Sequence, residues 1–294
     1  MEFFEIFPAA LLLVAVALGL VVGSFLNVVA YRVPIMMERA WREQCAELQA
    51  ESFTEPPHGE GRTFNLWTPG SACPDCGTPV SPMHNVPVLS FVLLGGRCAH
   101  CHGKISIRYP AIEMATALVS LIVAWHFGPT WQTAAALPFS WTLLALAVID
   151  IDRKLLPDSL TLPLLWAGLL VSLFSVDGAA LFADLRSSVI GAVAGYLSLW
   201  SVYQLFKLIT GKEGMGYGDF KLLAALGAWL GWQVLPLIIL LSAACGALLG
   251  VAAMVIGGRS RHVPIPFGPY LAAAGWIALL WGEQLMSLYG QLLR

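Results

Sequence analysis

The sequence predicts an all-α polytopic membrane protein with about eight transmembrane helices and a zinc-binding cytoplasmic loop domain after the first helix. Hydrophobic residues make up 58% of the 294 residues and charged residues only 12%, about half the charged content of soluble domains. The apolar residues form long runs, and one polar stretch with two Cys-x-x-Cys motifs interrupts them. The net charge of −2 provides no basic field for binding nucleic acid.

The first apolar run, residues 7–30, is too long for the core of a cleavable signal peptide, and no Lys or Arg precedes it. We therefore expect a first transmembrane helix here. The small residues Gly23 and Ser24 favour close helix packing, and we expect the Asn27 amide to make a packing hydrogen bond. Arg32 follows the run, so the positive-inside rule predicts that the N-terminus lies outside and Arg32 inside.

Residues 31–110 carry most of the charged side chains and several prolines. We predict a cytoplasmic loop domain here, between a first domain at 1–30 and an apolar third domain at 111–294. The charged stretch 38–51 could form a helix, and prolines with a glycine mark residues 54–62 as a linker.

Two Cys-x-x-Cys motifs lie in the loop domain. Such a pair is typical of a four-thiolate zinc site, because each tight turn supplies two sulfurs and two turns complete a tetrahedron. Two disulfides or free thiols are the alternatives, and disulfides are disfavoured in the cytoplasm. A four-cysteine site is closed and structural, although His100 and His102 could substitute as ligands. The predicted zinc ligands are Cys73, Cys76, Cys98 and Cys101.

From residue 110 onward the chain is apolar again, and we predict seven further crossings. They are 111–127, 133–149, 160–176, 188–206, 219–232, 235–256 and 267–289. With this count, the outside loops hold only Arg186 and Arg294, whereas the other basic residues lie inside, as the positive-inside rule requires. The count also requires segment 219–232 to cross fully, since Arg259 and Arg261 would otherwise lie outside.

Two carboxylates lie at the ends of predicted crossings. The third crossing runs inward and ends at Asp150, and the sixth runs outward and begins at Asp219, so both lie at the cytoplasmic end of the bundle. Simpler interpretations exist: Asp219 as a helix N-cap, and Asp150 and Asp152 as solvated residues beyond a helix end. Asp158 is predicted to cap the following helix. Because a charge beside hydrocarbon is costly, the coincidence favours a functional pair.

Two aspartates that share a site can act as the dyad of an aspartic protease. Like charges at short range cannot both ionise, so one carboxyl stays protonated. The ionised partner activates a water for attack on a peptide carbonyl, and the protonated partner donates to the oxyanion and then to the leaving amine. Because Asp150 and Asp152 lie on different faces of a helix, we expect only one to face Asp219. The sequence contains no G-x-S-x-G, H-E-x-x-H or P-loop motif.

Further motifs extend over nearly the whole chain. They are Gly23-Ser24-Phe25-Leu26-Asn27, Tyr31-Arg32-Val33-Pro34, the cysteine motifs, Ile105-Ser106-Ile107-Arg108-Tyr109-Pro110 with Glu113, Leu156-Pro157-Asp158, Gly216-Tyr217-Gly218-Asp219 and Pro266-Phe267-Gly268-Pro269. In these motifs the chain resembles the bacterial type IV prepilin peptidases (leader peptidase/N-methyltransferases), relatives of the GxGD intramembrane aspartic proteases. The resemblance implies that Asp150 and Asp219 are the catalytic aspartates.

The resemblance implies two activities at the cytoplasmic face of the bacterial inner membrane. The first cleaves the basic leader from type IV prepilins and from the pseudopilins of type II secretion. The second methylates the new N-terminal amine with S-adenosylmethionine, and Gly95 and Arg97 stand where the family's cofactor contacts are expected. The residues themselves contain no loop typical of a nucleotide cofactor site. The implied partners are therefore prepilin and pseudopilin substrates and the lipid bilayer.

Two alternatives remain open from the sequence. One is a peptidase without methyltransferase activity, which a methylation assay on the cleaved product would distinguish. The other is a transporter or assembly protein with a structural zinc loop. A transporter would place polar residues in the middle of its crossings, whereas here the acidic residues gather at the predicted inner end.

Overall fold

The protein is almost entirely helical in its computed structural model, which describes residues 2–50, 64–81, 85–257 and 266–292. Within these residues the helices are α1 (Glu2–Ile6), α2 (Pro8–Ala50), α3 (Leu89–Leu93), α4 (Arg108–Phe127), α5 (Trp131–Arg153), α6 (Asp158–Val171), α7 (Leu185–Thr210), α8 (Tyr217–Leu230), α9 (Leu235–Gly257) and α10 (Gly268–Leu292). Between α6 and α7, strands β1 (Ser175–Val176) and β2 (Ala179–Ala180) pair antiparallel, with Ser175 opposite Ala180. The predicted all-α class is confirmed.

Six helices in the described part of the chain are long and apolar enough to cross a membrane, namely α2, α4, α5, α7, α9 and α10. The other two predicted crossings correspond to α6 and α8, which have 14 residues each. Fourteen residues rise about 21 Å, less than the hydrocarbon thickness of about 30 Å. The eight predicted segments are therefore helical, but two of them are shorter than a full crossing.

The chain divides into two compact units, one formed by Met1–Pro8 with Val123–Arg294 and the other by Ala9–Ile122. The sequence analysis placed a domain boundary between residues 110 and 111, near the start of α4. The two compact units are instead divided between residues 122 and 123, within that helix. The predicted linker at 54–62 lies outside the described residues, as do Arg259 and Arg261 of the charge argument.

In the unit Ala9–Ile122, helix α2 continues without a break to Ala50. The expected separate helix at 38–51 is instead an extension of the first helix through Pro34, because helix-forming residues follow this proline and no glycine interrupts them. Helices α2 and α4 pack closely: a Cβ added to Gly23 would lie 2.7 Å from the Cα of Glu113. Asn27 donates to the carbonyls of Gly23 and Tyr109 at 3.2 and 3.1 Å, which confirms its packing role.

In the unit that contains Val123–Arg294, helix α8 forms the centre. Every residue from 222 to 229 is buried, and α8 packs against α6, α7 and α10. A helix that is apolar on all sides is typical of a position surrounded by protein. Because other helices surround α8, it does not need the length of a helix that crosses the bilayer. Its crossing with α7 is very close, because a Cβ on Gly191 would overlap the backbone oxygen of Gly227.

We predict that Gly191→Ala destabilises the protein, because backbone atoms of α8 cannot move aside as a flexible side chain would. Overpacking of this kind costs about 1–3 kcal/mol of unfolding free energy. Thermal unfolding in detergent, followed by tryptophan fluorescence, measures the loss. The matched control is Gly282→Ala, whose added Cβ would lie 3.5 Å from Val234, an ordinary contact. Equal midpoints for the two variants would contradict the close crossing.

Candidate active site and metal centre

Asp150 lies in the last turn of α5 and is only 5% exposed. The helix ends at Lys154, which adopts a left-handed conformation and donates its N–H to the Asp150 carbonyl at 2.9 Å. One carboxylate oxygen of Asp150 accepts a hydrogen bond from the backbone N–H of Gly268 at 3.0 Å. Since Gly268 is the first residue of α10, the N-terminus of that helix fixes the Asp150 side chain.

Asp219 lies in the first turn of α8 and is 8% exposed. The alternative interpretation of Asp219 as the N-cap is wrong, because Gly216 occupies that position and no side chain caps the helix. The physical reason is that the helix starts earlier, at Tyr217, so Asp219 is the third helical residue. A carboxylate in the first turn is still favoured by the helix dipole.

The two carboxyl groups meet at one end of this unit. The carboxyl groups of Asp150 and Asp219 are close enough to interact electrostatically. Leu156 connects the two helix starts: its Cβ lies 2.7 Å from a Cβ added to Gly218, and its Cδ2 lies 3.1 Å from one added to Gly268. The end of α5 and the starts of α8 and α10 therefore converge as the alternation of crossings predicted.

Asp152 and Asp158 do not join this pair. Asp152 is exposed, whereas Asp150 is buried, which agrees with the expected different helix faces. Asp158 is the first residue of α6 rather than its cap, which is Pro157. Both carboxylate oxygens of Asp158 accept from the Lys221 ammonium group at 2.7 Å. This ion pair joins the starts of α6 and α8.

The sequence interpretation missed the role of Gly268. It identified the Pro266-Phe267-Gly268-Pro269 stretch as a motif but gave it no function. A Cβ on Gly268 would lie 2.7 Å from the Asp150 carboxylate, so the close approach requires glycine. The available signal was a glycine immediately before a proline at the start of an apolar run, a pattern that marks a helix N-terminus.

The four predicted metal ligands come together in the unit Ala9–Ile122. Their sulfurs all lie within 4.8 Å of one another, and those of Cys73 and Cys101 are 3.8 Å apart. Four sulfurs placed about 2.3 Å from a zinc ion at the corners of a tetrahedron are separated by about 3.8 Å. Within the described residues, no other cluster of potential ligands of this kind occurs. These cysteines could hold a metal ion.

The two cysteine turns repeat one backbone pattern. Cys73 N–H donates to the Thr78 carbonyl at 2.9 Å, and Cys98 N–H donates to the Gly103 carbonyl at 2.9 Å. The fifth residue of each turn is left-handed: Gly77 in the first, with φ 69°, and His102 in the second, with φ 57°. His102 therefore occupies a turn position that suits glycine, and it is not among the clustered ligands.

The close sulfurs influence one another's ionisation. Hydrogen bonds with Thr78, through its side chain and then its backbone, lower the pKa of the Cys76 thiol to about 6. The backbone of Cys101 lowers the pKa of the Cys98 thiol. The Gly103 backbone acts to lower the pKa of Cys101, but desolvation and the neighbouring sulfurs outweigh it and raise that pKa to about 12. A bound cation would favour the thiolate form of all four.

The two residues expected to contact S-adenosylmethionine lie in the turn after α3. Gly95 is left-handed, with φ 59°, and a Cβ added to it would meet nothing within 4 Å. Arg97 is exposed and pairs with Lys104 in an isolated antiparallel bridge. The turn is therefore exposed, and the absence of a side chain at Gly95 leaves room for a ligand.

Comparisons with known proteins identify the family. Residues 137–251 match the Type IV leader peptidase family, and residues 17–127 match the Bacterial Peptidase A24 N-terminal domain. The chain belongs to the type IV leader peptidase family. Curated relatives named prepilin leader peptidase/N-methyltransferase include those of Pseudomonas aeruginosa, 55% identical over 97% of this chain and 95% of the relative, and Stutzerimonas stutzeri, 54% identical over 100% and 98%. No solved structure matches the chain.

Membership in this family confirms the predicted enzyme class, a leader peptidase with N-methyltransferase activity. The similarity covers nearly the full length of both this chain and its relatives, so neither activity depends on a domain that the chain lacks. The alternative of a transporter or assembly protein is therefore not supported.

Proposed function

We propose that Asp150 and Asp219 are the catalytic pair with which this leader peptidase cleaves prepilins and pseudopilins. The observation that carries the proposal is the convergence of two buried carboxyl groups, from helices far apart in sequence, at one end of the unit containing Val123–Arg294. Structural carboxylates are rarely buried in this way, because desolvation of a charge is costly unless it is paired with a cation. Lys221, a cation in the first turns of α8, pairs with Asp158 instead.

The chemistry follows from the electrostatics of the pair. Two adjacent carboxylates in an apolar environment cannot both be ionised at neutral pH, so they hold one proton between them. The ionised group removes a proton from a water, whose oxygen attacks the carbonyl carbon of the scissile peptide. The protonated group donates to the carbonyl oxygen, and the leaving amine takes up a proton as the C–N bond breaks. Gly268 N–H holds Asp150 in position throughout.

Basic residues near the aspartates support a cytoplasmic active site. Arg153 and Lys154 follow the end of α5, Lys212 follows the end of α7, and Lys221 lies near the start of α8. By contrast, Arg186 lies at the opposite end of α7. Because positive residues are retained on the cytoplasmic side during insertion, the aspartates lie at the cytoplasmic face of the bacterial inner membrane.

The metal of the cysteine centre is proposed to be Zn²⁺, held by Cys73, Cys76, Cys98 and Cys101. The donor set supports this assignment because four thiolates within tetrahedral distance suit zinc. Four protein ligands leave no open coordination position, so the ion stabilises the loop domain and takes no part in peptide hydrolysis. It joins two turns that have few apolar side chains of their own.

The methyl donor is proposed to be S-adenosylmethionine, which supplies an electrophilic methyl group for the new N-terminal amine. Of this chain's residues, Arg97 offers a guanidinium group suited to the donor's carboxylate, and Gly95 lets a ligand approach the backbone. The relatives' name includes N-methyltransferase, which supports the activity but not these two contacts. Methylation of a purified cleaved pilin by Gly95→Leu, compared with cleavage by the same variant, tests the Gly95 contact.

Replacing either Asp150 or Asp219 is expected to abolish leader cleavage. Asp150→Asn and Asp219→Asn keep the side-chain shape but remove a titratable group, and general acid–base catalysis contributes about 10²–10⁴-fold. The measurement is cleavage of a synthetic prepilin by each purified variant in detergent.

Asp152→Asn is the matched control for these variants, since Asp152 lies two residues from Asp150 and is exposed. It should retain cleavage within a few-fold of the unchanged protein. Normal processing by Asp150→Asn or Asp219→Asn would remove that residue from the catalytic pair. A loss of cleavage in Asp152→Asn as large as that in Asp150→Asn would contradict the assignment of Asp150 as the partner of Asp219.

Gly268→Ala is expected to lower kcat by about tenfold to a hundredfold, because a misplacement of about 1 Å near reacting groups has effects of this size. The added methyl would displace the Asp150 carboxylate. Gly282→Ala, the same change in the same helix with only an ordinary contact, should leave kcat unchanged. A kcat for Gly268→Ala equal to that of Gly282→Ala would refute the positioning role.

Loss of one metal-binding cysteine should remove the metal. Cys98→Ser leaves three thiolates, and we expect bound zinc to fall from about one equivalent to near zero, measured by elemental analysis of the purified protein. Cys45→Ser is the control, because Cys45 is an exposed thiol in the extension of α2. Full zinc in Cys98→Ser, or a different metal in the unchanged protein, would contradict the assignment.

A further inference from the structure

Four large apolar side chains, three in α3 and one immediately before α4, are exposed although they lie outside the membrane-crossing helices. We call Leu89, Val92, Leu93 and Ile107 the apolar rim; they are 54%, 67%, 74% and 75% exposed. Loops rarely expose apolar side chains in such a group unless another surface covers them. The rim adjoins the turn that contains Gly95 and the second cysteine turn.

A buried carboxylate holds α3 in place. Glu113, in the second turn of α4, is 8% exposed, and its Oε2 accepts the N–H of Val88 at 2.7 Å. The hydroxyl of Ser24 also hydrogen-bonds this carboxylate. Val88 has φ 59° and ψ −47° in a tight turn in which Leu89 N–H donates to the Pro87 carbonyl. A β-branched residue is disfavoured there, so the Glu113 hydrogen bond stabilises an otherwise costly turn.

This attachment fixes the depth of the apolar rim. Helix α4 is one of the helices able to cross the membrane, and Glu113 lies only about 8 Å along it from Arg108, at 1.5 Å per residue. Leu89 follows the Val88 turn directly, so α3 begins beside the end of a crossing helix. Ile107 immediately precedes α4. Both parts of the rim therefore lie close to the first two turns of this helix.

The stretch of chain that carries the rim, residues 85–108, has charged side chains of one sign only. Between residues 85 and 108 the sequence has no Asp or Glu, and its charged side chains are Arg97, Lys104 and Arg108, all exposed. Arg97 and Lys104 face each other in the bridge beside α3. Apolar side chains flanked by basic ones match the inner leaflet, which is apolar at depth and negative at its surface.

We propose that the apolar rim inserts into the interfacial layer of an anionic phospholipid membrane. The loop domain then rests on the bilayer through α3 as well as through α2 and α4. One consequence is that the Gly95 turn and the cysteine centre lie at the membrane surface. A cleaved substrate whose apolar segment stays in the bilayer would present its new N-terminus at that same level. This docking does not depend on the catalytic roles proposed above.

Photo-crosslinking of the full-length protein in vesicles tests the docking. The photoreactive amino acid p-benzoylphenylalanine replaces Leu93 in one variant and Leu48 in another. Leu48 is the matched control, because it is 71% exposed but lies about 24 Å beyond Arg32 along α2 at 1.5 Å per residue. In phosphatidylglycerol vesicles, mass spectrometry should find a lipid adduct at position 93 at several times the yield at position 48. Equal yields, or no adduct at position 93, would overturn the proposal.

Two further arms make the test decisive. The same photoreactive residue at Val92 provides a second position in case the Leu93 variant does not fold, which its zinc content reports. Lys104→Glu should reduce the lipid adduct in phosphatidylglycerol vesicles severalfold and leave it unchanged in phosphatidylcholine vesicles. If positions 92 and 93 crosslink to added prepilin rather than to lipid, the rim is a substrate surface and the membrane proposal is wrong.

Discussion

The constraint on which the candidate active site depends is that two acids must be held side by side in an apolar setting. Asp150 and Asp219 are both nearly buried, and neither is paired with the nearby Lys221, which binds Asp158. Such a pair is unfavourable as structure, since each buried charge lowers stability. In the catalytic role that we propose for it, the shared proton makes one group a base and the other an acid at the same pH. The surrounding helices must therefore hold the pair together against its own electrostatics.

Glycine contacts supply that restraint. The crossing of α7 and α8 at Gly191 and Gly227 is close enough that no side chain could be inserted, so α8 cannot shift away from its neighbours. At the site, Gly218 contacts Leu156, and Gly268 brings the start of α10 onto Asp150. Side chains are absent where backbones must approach, which is the usual way in which helices pack closely in membranes. The position of the acids follows from backbone contacts rather than from ion pairs.

The sequence was informative where one local rule decided the outcome. Alternation of crossings was enough to bring Asp150 and Asp219 to one end, and cysteine spacing was enough to find the thiolate cluster. It was not informative where tertiary packing decides. The 14-residue length of α8 reflects burial on every side, and the continuation of α2 through Pro34 shows helix-forming neighbours prevailing over one lost hydrogen bond. The partner of Glu113 could not be predicted, since Val88 lies in a loop 25 residues away.

Glu113 shows how the loop domain is organised without a core of its own. Its polar stretches are tied down one at a time: the cysteine turns by their sulfurs, α3 by the Glu113 carboxylate, and the segment 64–69 by Arg32, which is 7% exposed and donates to the carbonyls of Asn65 and Pro69. Each tie uses a charged or metal-binding group where a soluble domain would use apolar burial. The apolar side chains left over, those of the rim, are then available for the bilayer, which completes the burial that the loop domain cannot provide for itself.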